Sequence, residues 1–407
     1  MPPRLPILLL LLAACGGADA GTALSTPVID TLPGGIVRVT NPGPTAWADT
    51  NGWRIVLERE IVPEEGSEGE VGNPGTLVAG EDGTIYWLMR SPSVIKAYAP
   101  DGTWLRNIGR EGDGPGEFRD GMFAIVGDKL VLQDPNNTRM TVFETSGRFV
   151  ASTPSQCCYW TGHLPVFDDG TIGITGPPPA DQSDAGGALY LTMPDGRVID
   201  TVVSRRSIQE PKGLWTVTMT SNGGKNVSRM MMGIPLQPYE TTEYRGDRTV
   251  LRGHSAAYAF AITGLDGMDT VRVFTASAPT VPITSAQRDS IYEATINEMD
   301  EQWRDAVRAA SSAGDIPMTW PLWGGIAIDP TGHIWISRPN PAGGIGLLDV
   351  FTAEGVLLGT ILPPVAGLTG GYWTRDRIYL NGETEEGLPK ISVYRIERGE
   401  RGKEGER

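Results

Sequence analysis

Basic residues, histidine and cysteine are all scarce in this chain of 407 residues. Lysine and arginine number 34 against 49 aspartates and glutamates, which gives a formal net charge of −15 at pH 7. A nucleic-acid partner is therefore not expected, because phosphate neutralisation needs a basic face. The three histidines and three cysteines form no H-E-x-x-H motif and no paired spacing typical of zinc ligands. The sequence predicts no metal ligands and no cofactor.

A catalytic nucleophile is not indicated either. The chain has no G-x-S-x-G motif and no calcium loop of the D-x-D-x-D-G type. His163, His254 and His333 fall at different positions of the repeat described below, so we expect them to stay apart as surface or packing residues. The sequence therefore predicts no catalytic residues.

The N-terminus carries a short apolar segment. Arg4 precedes apolar residues 7–12, and Leu12-Ala13-Ala14-Cys15 ends a run that is too short for a permanent membrane helix. This ending resembles the lipobox of bacterial lipoproteins. The resemblance implies a signal peptide over residues 1–14, export, and lipidation of Cys15. Gly16 in place of an aspartate favours the outer membrane, with the protein facing the periplasm or the cell surface. Residues 15–33 are expected to form a tether.

Cys157 and Cys158 are the remaining cysteines, and they are adjacent. In an oxidising compartment the nearest partner of each is the other. Adjacent Cα atoms lie about 3.8 Å apart, below the usual disulfide range of about 4.4–6.8 Å, so a vicinal disulfide would be strained. A strained bridge and two reduced, half-buried thiols remain as alternatives.

Glycine and proline are abundant, with 53 and 32 residues, and they mark an internal repeat. Each unit has two turns rich in Gly and Asp, residues that tolerate the positive φ of tight hairpins. The first turn appears at residues 81–83, 127–128, 168–170, 246–247, 329–332 and 375–376, and the second at 101–102, 146–147, 195–196, 266–267 and 354–355. Runs rich in β-branched and aromatic residues lie between the turns. Four-stranded units of this kind are typical of propeller blades.

The sixth unit lacks its fourth strand at the C-terminal end, whereas residues 53–62 form a strand without a blade. Joining the two closes a ring and removes an unpaired edge. We therefore expect an all-β, six-bladed β-propeller over residues 34–397, closed by an N-terminal strand. Insertions are expected near residues 204–235 and 276–320. The second holds one inserted α-helix at about 284–312, since Thr284 and Gln287 fit a capping box. Residues 398–407 are expected to be a disordered charged tail.

The glycine-rich, charged stretch 108–120 invites comparison with a phosphate-binding loop. No helix follows it, and its acids would repel phosphate, so we interpret it as a junction between blades. A weaker copy occupies residues 61–71, and we expect Phe118 and Val71 to lie between blades. The stretch resembles the junctions of NHL-repeat propellers and of bacterial six-bladed propeller lipoproteins. Propellers of this kind include binding proteins, lactonases and lyases. The resemblance implies that an enzyme of this class would need a metal ion at the propeller axis.

Aromatic residues suggest a ligand site. Trp160, Trp323 and Trp373 precede or open inner strands, and Tyr159 and Tyr372 flank them. Inner strands start at one mouth of a propeller channel, so these rings can either line a binding mouth or pack between blades. We expect an exported, lipid-anchored propeller that binds a glycan, peptide or protein ligand. The alternative is a metal-dependent propeller hydrolase or lactonase.

Replacing the lipidation residue tests the anchor. Cys15→Ser should release the protein from the membrane fraction, because lipid would be its anchor. Fractionation followed by a carbonate wash measures this, with wild-type protein as the control. A variant that still sediments with membranes would contradict lipid anchoring.

Overall fold

The computed structural model describes residues 26–43, 47, 52–155, 163–183, 187–203, 213–221 and 226–399. Cys15, Cys157, Cys158, Tyr159 and Trp160 lie outside these ranges. In the part of the chain that is described, no helix is long and apolar enough to cross a membrane.

Short strands dominate the first half of the chain. The N-terminal strands are β1 (Val28–Thr31), β2 (Val37–Asn41) and β3 (Arg54–Ile61). Blade one comprises β4 (Pro74–Ala79), β5 (Ile85–Arg90), β6 (Ser93–Tyr98) and β7 (Trp104–Ile108). The parallel pair β8 (Arg110–Glu111) and β9 (Glu117–Phe118) leads to blade two, which comprises β10 (Met122–Val126), β11 (Lys129–Asp134), β12 (Arg139–Glu144) and β13 (Phe149–Pro154). Blade three comprises β14 (Ile172–Gly176), β15 (Ala188–Thr192) and β16 (Val198–Val203), and its innermost segment joins through a single Val166–Ile172 bridge.

Three further blades and two insertions complete the fold. A hairpin of β17 (Leu214–Ser221) and β18 (Asn226–Gly233) precedes blade four, which comprises β19 (Glu240–Tyr244), β20 (Thr249–His254), β21 (Ala259–Gly264) and β22 (Thr270–Ala276). Helices α1 (Ser285–Asn297) and α2 (Glu301–Ala310) precede blade five, which comprises β23 (Gly325–Ile328), β24 (Ile334–Arg338), β25 (Leu347–Phe351) and β26 (Leu357–Ile361). Blade six contains β27 (Tyr372–Trp373), β28 (Arg377–Glu383) and β29 (Pro389–Glu397). Short 3₁₀ turns occupy Ala180–Gln182, Ala313–Asp315 and Leu368–Gly370.

The N-terminal strand β3 completes blade six, as the sequence predicts. The sheet order is β27-β28-β29-β3, and β3 pairs with β29 antiparallel from Ile61 opposite Ile391 to Arg54 opposite Glu397. An N-terminal strand and a C-terminal strand therefore pair in one sheet, and the six-bladed ring is closed.

Blade four is extended by strands that the sequence analysis did not predict. Its sheet runs β1-β2-β22-β21-β20-β19, with β2 parallel to β22. Strand β1 lies within residues 15–33, which we assigned to a tether, so regular structure begins before residue 34. From there Trp47 packs against Trp53 at a ring-centroid distance of 5.1 Å and joins the core of blades five and six. The N-terminal segment thus contacts three consecutive blades.

The repeated turns have a local physical cause. At several of them an aspartate accepts a hydrogen bond from the backbone two residues later, as Asp82 does from Thr84 N at 2.9 Å. The same bond recurs at Asp101, Asp169, Asp195, Asp247, Asp266 and Asp329. Gly83 and Gly102 adopt positive φ of 83° and 92°, which other residues reach only with strain.

Each pair of neighbouring blades encloses an apolar cluster. Phe118 is fully buried between blades one and two, and Val71 is buried between blades six and one, as expected for the two junctions. Among the described residues, the cluster between blades three and four is the smallest, with Phe167, Leu189 and Leu191 as its buried members. We call this junction the three–four seam, and its described residues make the least apolar contact of the six junctions.

The two insertions fold against each other as a small subdomain. Trp215 and Val217 of the hairpin pack with Ile296 and Val307 of the helices. Two helices form where one was expected, because the chain turns at residues 298–300 and Asp300 precedes α2. The capping box of Thr284 and Gln287 is present at the start of α1.

Truncation tests ring closure. Deleting residues 16–62 removes β3 and exposes the edge of blade six, so the chain should lose its cooperative thermal transition. Deleting residues 16–33 removes β1 but keeps β2 and β3, and the Tm should fall by only a few degrees. Equal melting temperatures of the two truncations, measured by circular dichroism, would contradict closure by β3.

Candidate functional site

A central cavity of about 740 Å³ lies where the innermost strands of the six blades converge. Its wall includes residues from β4, β10, β19, β23 and β27 and from the innermost segment of blade three. Most of these residues are apolar, such as Val78, Ile125 and Ile326. A concave pocket of this size with a few polar groups has the form of a small-molecule site.

His163 and Glu243 are the main titratable pair on this wall. The His163 Nε2 atom lies 4.0 Å from a Glu243 carboxylate oxygen. His163 comes from blade three and Glu243 from β19 of blade four, so the pair faces across the three–four seam. The His163 side chain is 64% exposed and that of Glu243 is 22% exposed, and both contribute to the cavity wall.

Burial shifts both pKa values towards the neutral forms. It raises the pKa of Glu243 to about 7 and lowers the pKa of His163 below its usual value. The exposed surface of His163 faces the cavity, where the surrounding protein disfavours the charged imidazole. A carboxyl group that titrates near neutral pH, as Glu243 does, can exchange a proton with a bound molecule.

Other polar groups on the wall are already engaged. Arg90 Nε lies 3.7 Å from Asp120 Oδ1, and Asn381 Nδ2 donates to the Gly75 carbonyl at 3.2 Å. Burial raises the pKa of Tyr372 to about 12, so its hydroxyl stays protonated. The wall therefore offers one paired cation, one carboxylate and neutral hydrogen-bonding groups.

The structure separates the aromatic residues that the sequence grouped at a mouth. Tyr372 and Trp373 line the cavity, and Trp373 also packs on Trp335 at 4.9 Å between ring centroids. Trp323 is fully buried between blades four and five, and its indole N–H donates to the Ala257 carbonyl at 3.0 Å. Trp323 thus acts as a packing residue, while Trp160 and Tyr159 lie outside the described residues.

The three histidines lie apart, as expected from the sequence. His333 is buried with its ring 4.7 Å from that of Trp53, and His254 is exposed on β20. His163 instead lines the cavity beside Glu243. Within the described ranges, no group of three His, Cys, Asp or Glu side chains is placed as metal ligands are.

Sequence reasoning missed Glu243 and did not assign His163 to the cavity. Both lie a few residues before a first turn, in segments where inner strands otherwise carry apolar side chains. A titratable residue a few positions before a first turn was therefore the feature of the sequence that could have indicated the site.

No family model and no curated protein matches this chain. Solved structures with a similar fold include a Bacteroides fragilis protein inferred to be exported, at 11% identity and a TM-score of 0.47, covering 89% of this chain and 100% of that one. A DUF4221 protein of Bacteroides vulgatus has 11% identity and a TM-score of 0.41, with coverages of 86% and 100%. Virginiamycin B lyase of Staphylococcus aureus has 8% identity and a TM-score of 0.41, with coverages of 84% and 99%. Likenesses this distant concern the fold alone.

Titration of Glu243 should appear in the stability of the protein. Its folded-state pKa lies above the ordinary value of 4.5, so its contribution to stability is present below about pH 4.5 and is lost as the pH rises through about 7. The loss is on the order of 2 kcal/mol, after allowance for partial exposure. Glu243→Gln should therefore gain Tm relative to wild type as the pH rises from 5 to 8.

Glu386→Gln is the matched control, since Glu386 is exposed in the turn between β28 and β29 and is not part of the cavity wall. Its Tm should follow that of the wild type at every pH. Parallel pH profiles for Glu243→Gln and wild type would contradict a raised pKa at Glu243.

Proposed function

We propose that this protein is an exported, lipid-anchored β-propeller that binds a small molecule in its central cavity. The cavity carries this proposal, because about 740 Å³ lies within the usual range of ligand pockets and strands of all six blades contribute to its wall. The export and anchoring part of the proposal rests on the N-terminal segment Leu12-Ala13-Ala14-Cys15, which resembles a lipobox.

A binding role accounts for the polarity of the wall. His163, Glu243 and Tyr372 place hydrogen-bonding groups among apolar residues, an arrangement that can orient a bound molecule while the apolar surface contributes affinity. Polar residues at these positions are unfavourable for blade packing alone, since a buried carboxylate costs free energy. The cost is understandable if a ligand is recognised there.

A metal-dependent hydrolase or lactonase has less support. A catalytic zinc site needs three protein ligands, and calcium needs six or more oxygen ligands. The described wall brings together one histidine and one glutamate. Ligand binding is therefore the function that the described residues favour.

Blocking the cavity tests the proposal. Thr76 lies on the cavity wall, and an indole in its place would occupy the space that a ligand needs. In a ligand-observed NMR screen of the unlipidated chain, residues 16–407, Thr76→Trp should weaken each hit at least about 10-fold. Thr369→Trp, from another part of the wall, is a second blocking variant.

Thr218→Trp is the matched control, because Thr218 is exposed on strand β17 of the hairpin. It should bind every hit as the wild type does. Thermal melts check that each variant is folded. Hits whose affinity is unchanged in both folded blocking variants would place the binding site elsewhere and contradict the proposal.

A further inference from the structure

The charges on the cavity wall are not evenly balanced. Apart from tyrosines, the ionisable residues of the described wall are Arg90, His163 and Glu243. Arg90 is already paired with Asp120 at 3.7 Å, so an anionic ligand would have to compete with that carboxylate. No lysine or arginine among the described residues forms an ion pair with Glu243. Its ionisable neighbour is His163 at 4.0 Å, and burial lowers the pKa of that imidazole and so disfavours its cationic form. The described wall therefore carries one carboxylate without a lysine or arginine partner, Glu243, and its one arginine, Arg90, already has an acidic partner.

Other titratable groups near Glu243 do not supply the missing charge. Tyr244 follows it on β19, and Arg252 on the adjacent strand β20 acts on Tyr244, whose pKa burial raises. Tyr372 and Tyr379 lie across the cavity on blade six, and burial raises their pKa values as well. Raised pKa values keep all three tyrosines neutral near pH 7, so the ionisable groups at this part of the wall are Glu243 and His163.

Aromatic rings add a second, independent preference. Tyr244 and Tyr372 are half-buried on the wall, and each retains surface towards the cavity. The face of a phenol ring attracts cations, and this attraction strengthens when the cation is desolvated. A carboxylate without a lysine or arginine partner, together with aromatic rings, favours a cationic ligand.

We infer that the cavity ligand is a small organic cation, such as a protonated amine, whose positive charge is paired by Glu243 and contacted by the rings of Tyr244 and Tyr372. This inference rests on the proposed small-molecule function and assigns it a ligand class. Binding requires ionised Glu243, so the ligand displaces a proton from the protonated fraction of this side chain. Affinity should therefore rise with pH, by about 10-fold between pH 6 and pH 8 for a group whose pKa is about 7.

Three matched probes test the ligand class on the unlipidated chain. Phenethylamine is a cation across this pH range, 2-phenylethanol is neutral, and 3-phenylpropionate is an anion. We expect phenethylamine to bind at least about 10-fold more tightly than either of the other probes at pH 8 and 50 mM salt, measured by ligand-observed NMR titration. Its affinity should fall at least about 10-fold in Glu243→Gln, and it should be unchanged in Glu386→Gln.

The outcomes separate the ligand class from the proposed function. If the neutral or anionic probe binds more tightly, and Thr76→Trp abolishes that binding, the cation inference is overturned and the small-molecule function stands. If phenethylamine binds equally well to wild type and Glu243→Gln, or equally at pH 6 and pH 8, the role of Glu243 is wrong. If none of the probes binds in a manner that Thr76→Trp blocks, the inference and the proposed function both fail.

Discussion

Face-to-face apolar packing of blades is the constraint on which this structure depends. Each blade is apolar on both faces, so each requires two neighbours, and the requirement is met only in a closed ring. Closure concentrates at Trp53, which is almost fully buried and whose ring lies 5.5 Å from that of Trp335. Arg398 from the C-terminal end lies over the same indole at 5.0 Å, and its guanidinium also reaches Asp329 of blade five at 3.8 Å. The residue before β3 and the residue after β29 are thus both held against blade five.

The candidate site lies at the seam where the described residues make the least apolar contact. Polar contacts replace much of the apolar surface at the three–four seam, including an Arg248–Asp169 ion pair at 2.5 Å and a hydrogen bond from Asp168 N to the Gly246 carbonyl at 2.9 Å. At the axis end of the same seam, His163 and Glu243 face each other. A buried carboxylate in one of the larger apolar clusters would oppose blade packing directly. At this seam its cost to the ring is smaller, which links the position of the site to the architecture.

The fold could be predicted from the sequence to a greater extent than the site. Turns such as Asp82-Gly83-Thr84 have a local cause that repeats along the chain, so blade number and ring closure follow from pattern alone. The extension of blade four by β1 could not be predicted. This strand has four residues, and its two apolar residues are adjacent, so it shows no alternating pattern. The subdomain was missed because its hairpin and helices are separated in sequence by the whole of blade four. Contacts of that kind depend on the assembled ring.

The tryptophans show why aromatic residues were a poor guide to the site. An indole N–H that donates to a nearby carbonyl, as Trp323 does to Ala257 and Trp373 to Leu368, marks a ring fixed by packing. Both rings belong to the apolar clusters between neighbouring blades. Titratable residues have no such structural use there, since apolar side chains pack better. A carboxylate or imidazole in the inner segment of a propeller blade is therefore a stronger indication of function than an aromatic ring at the same position.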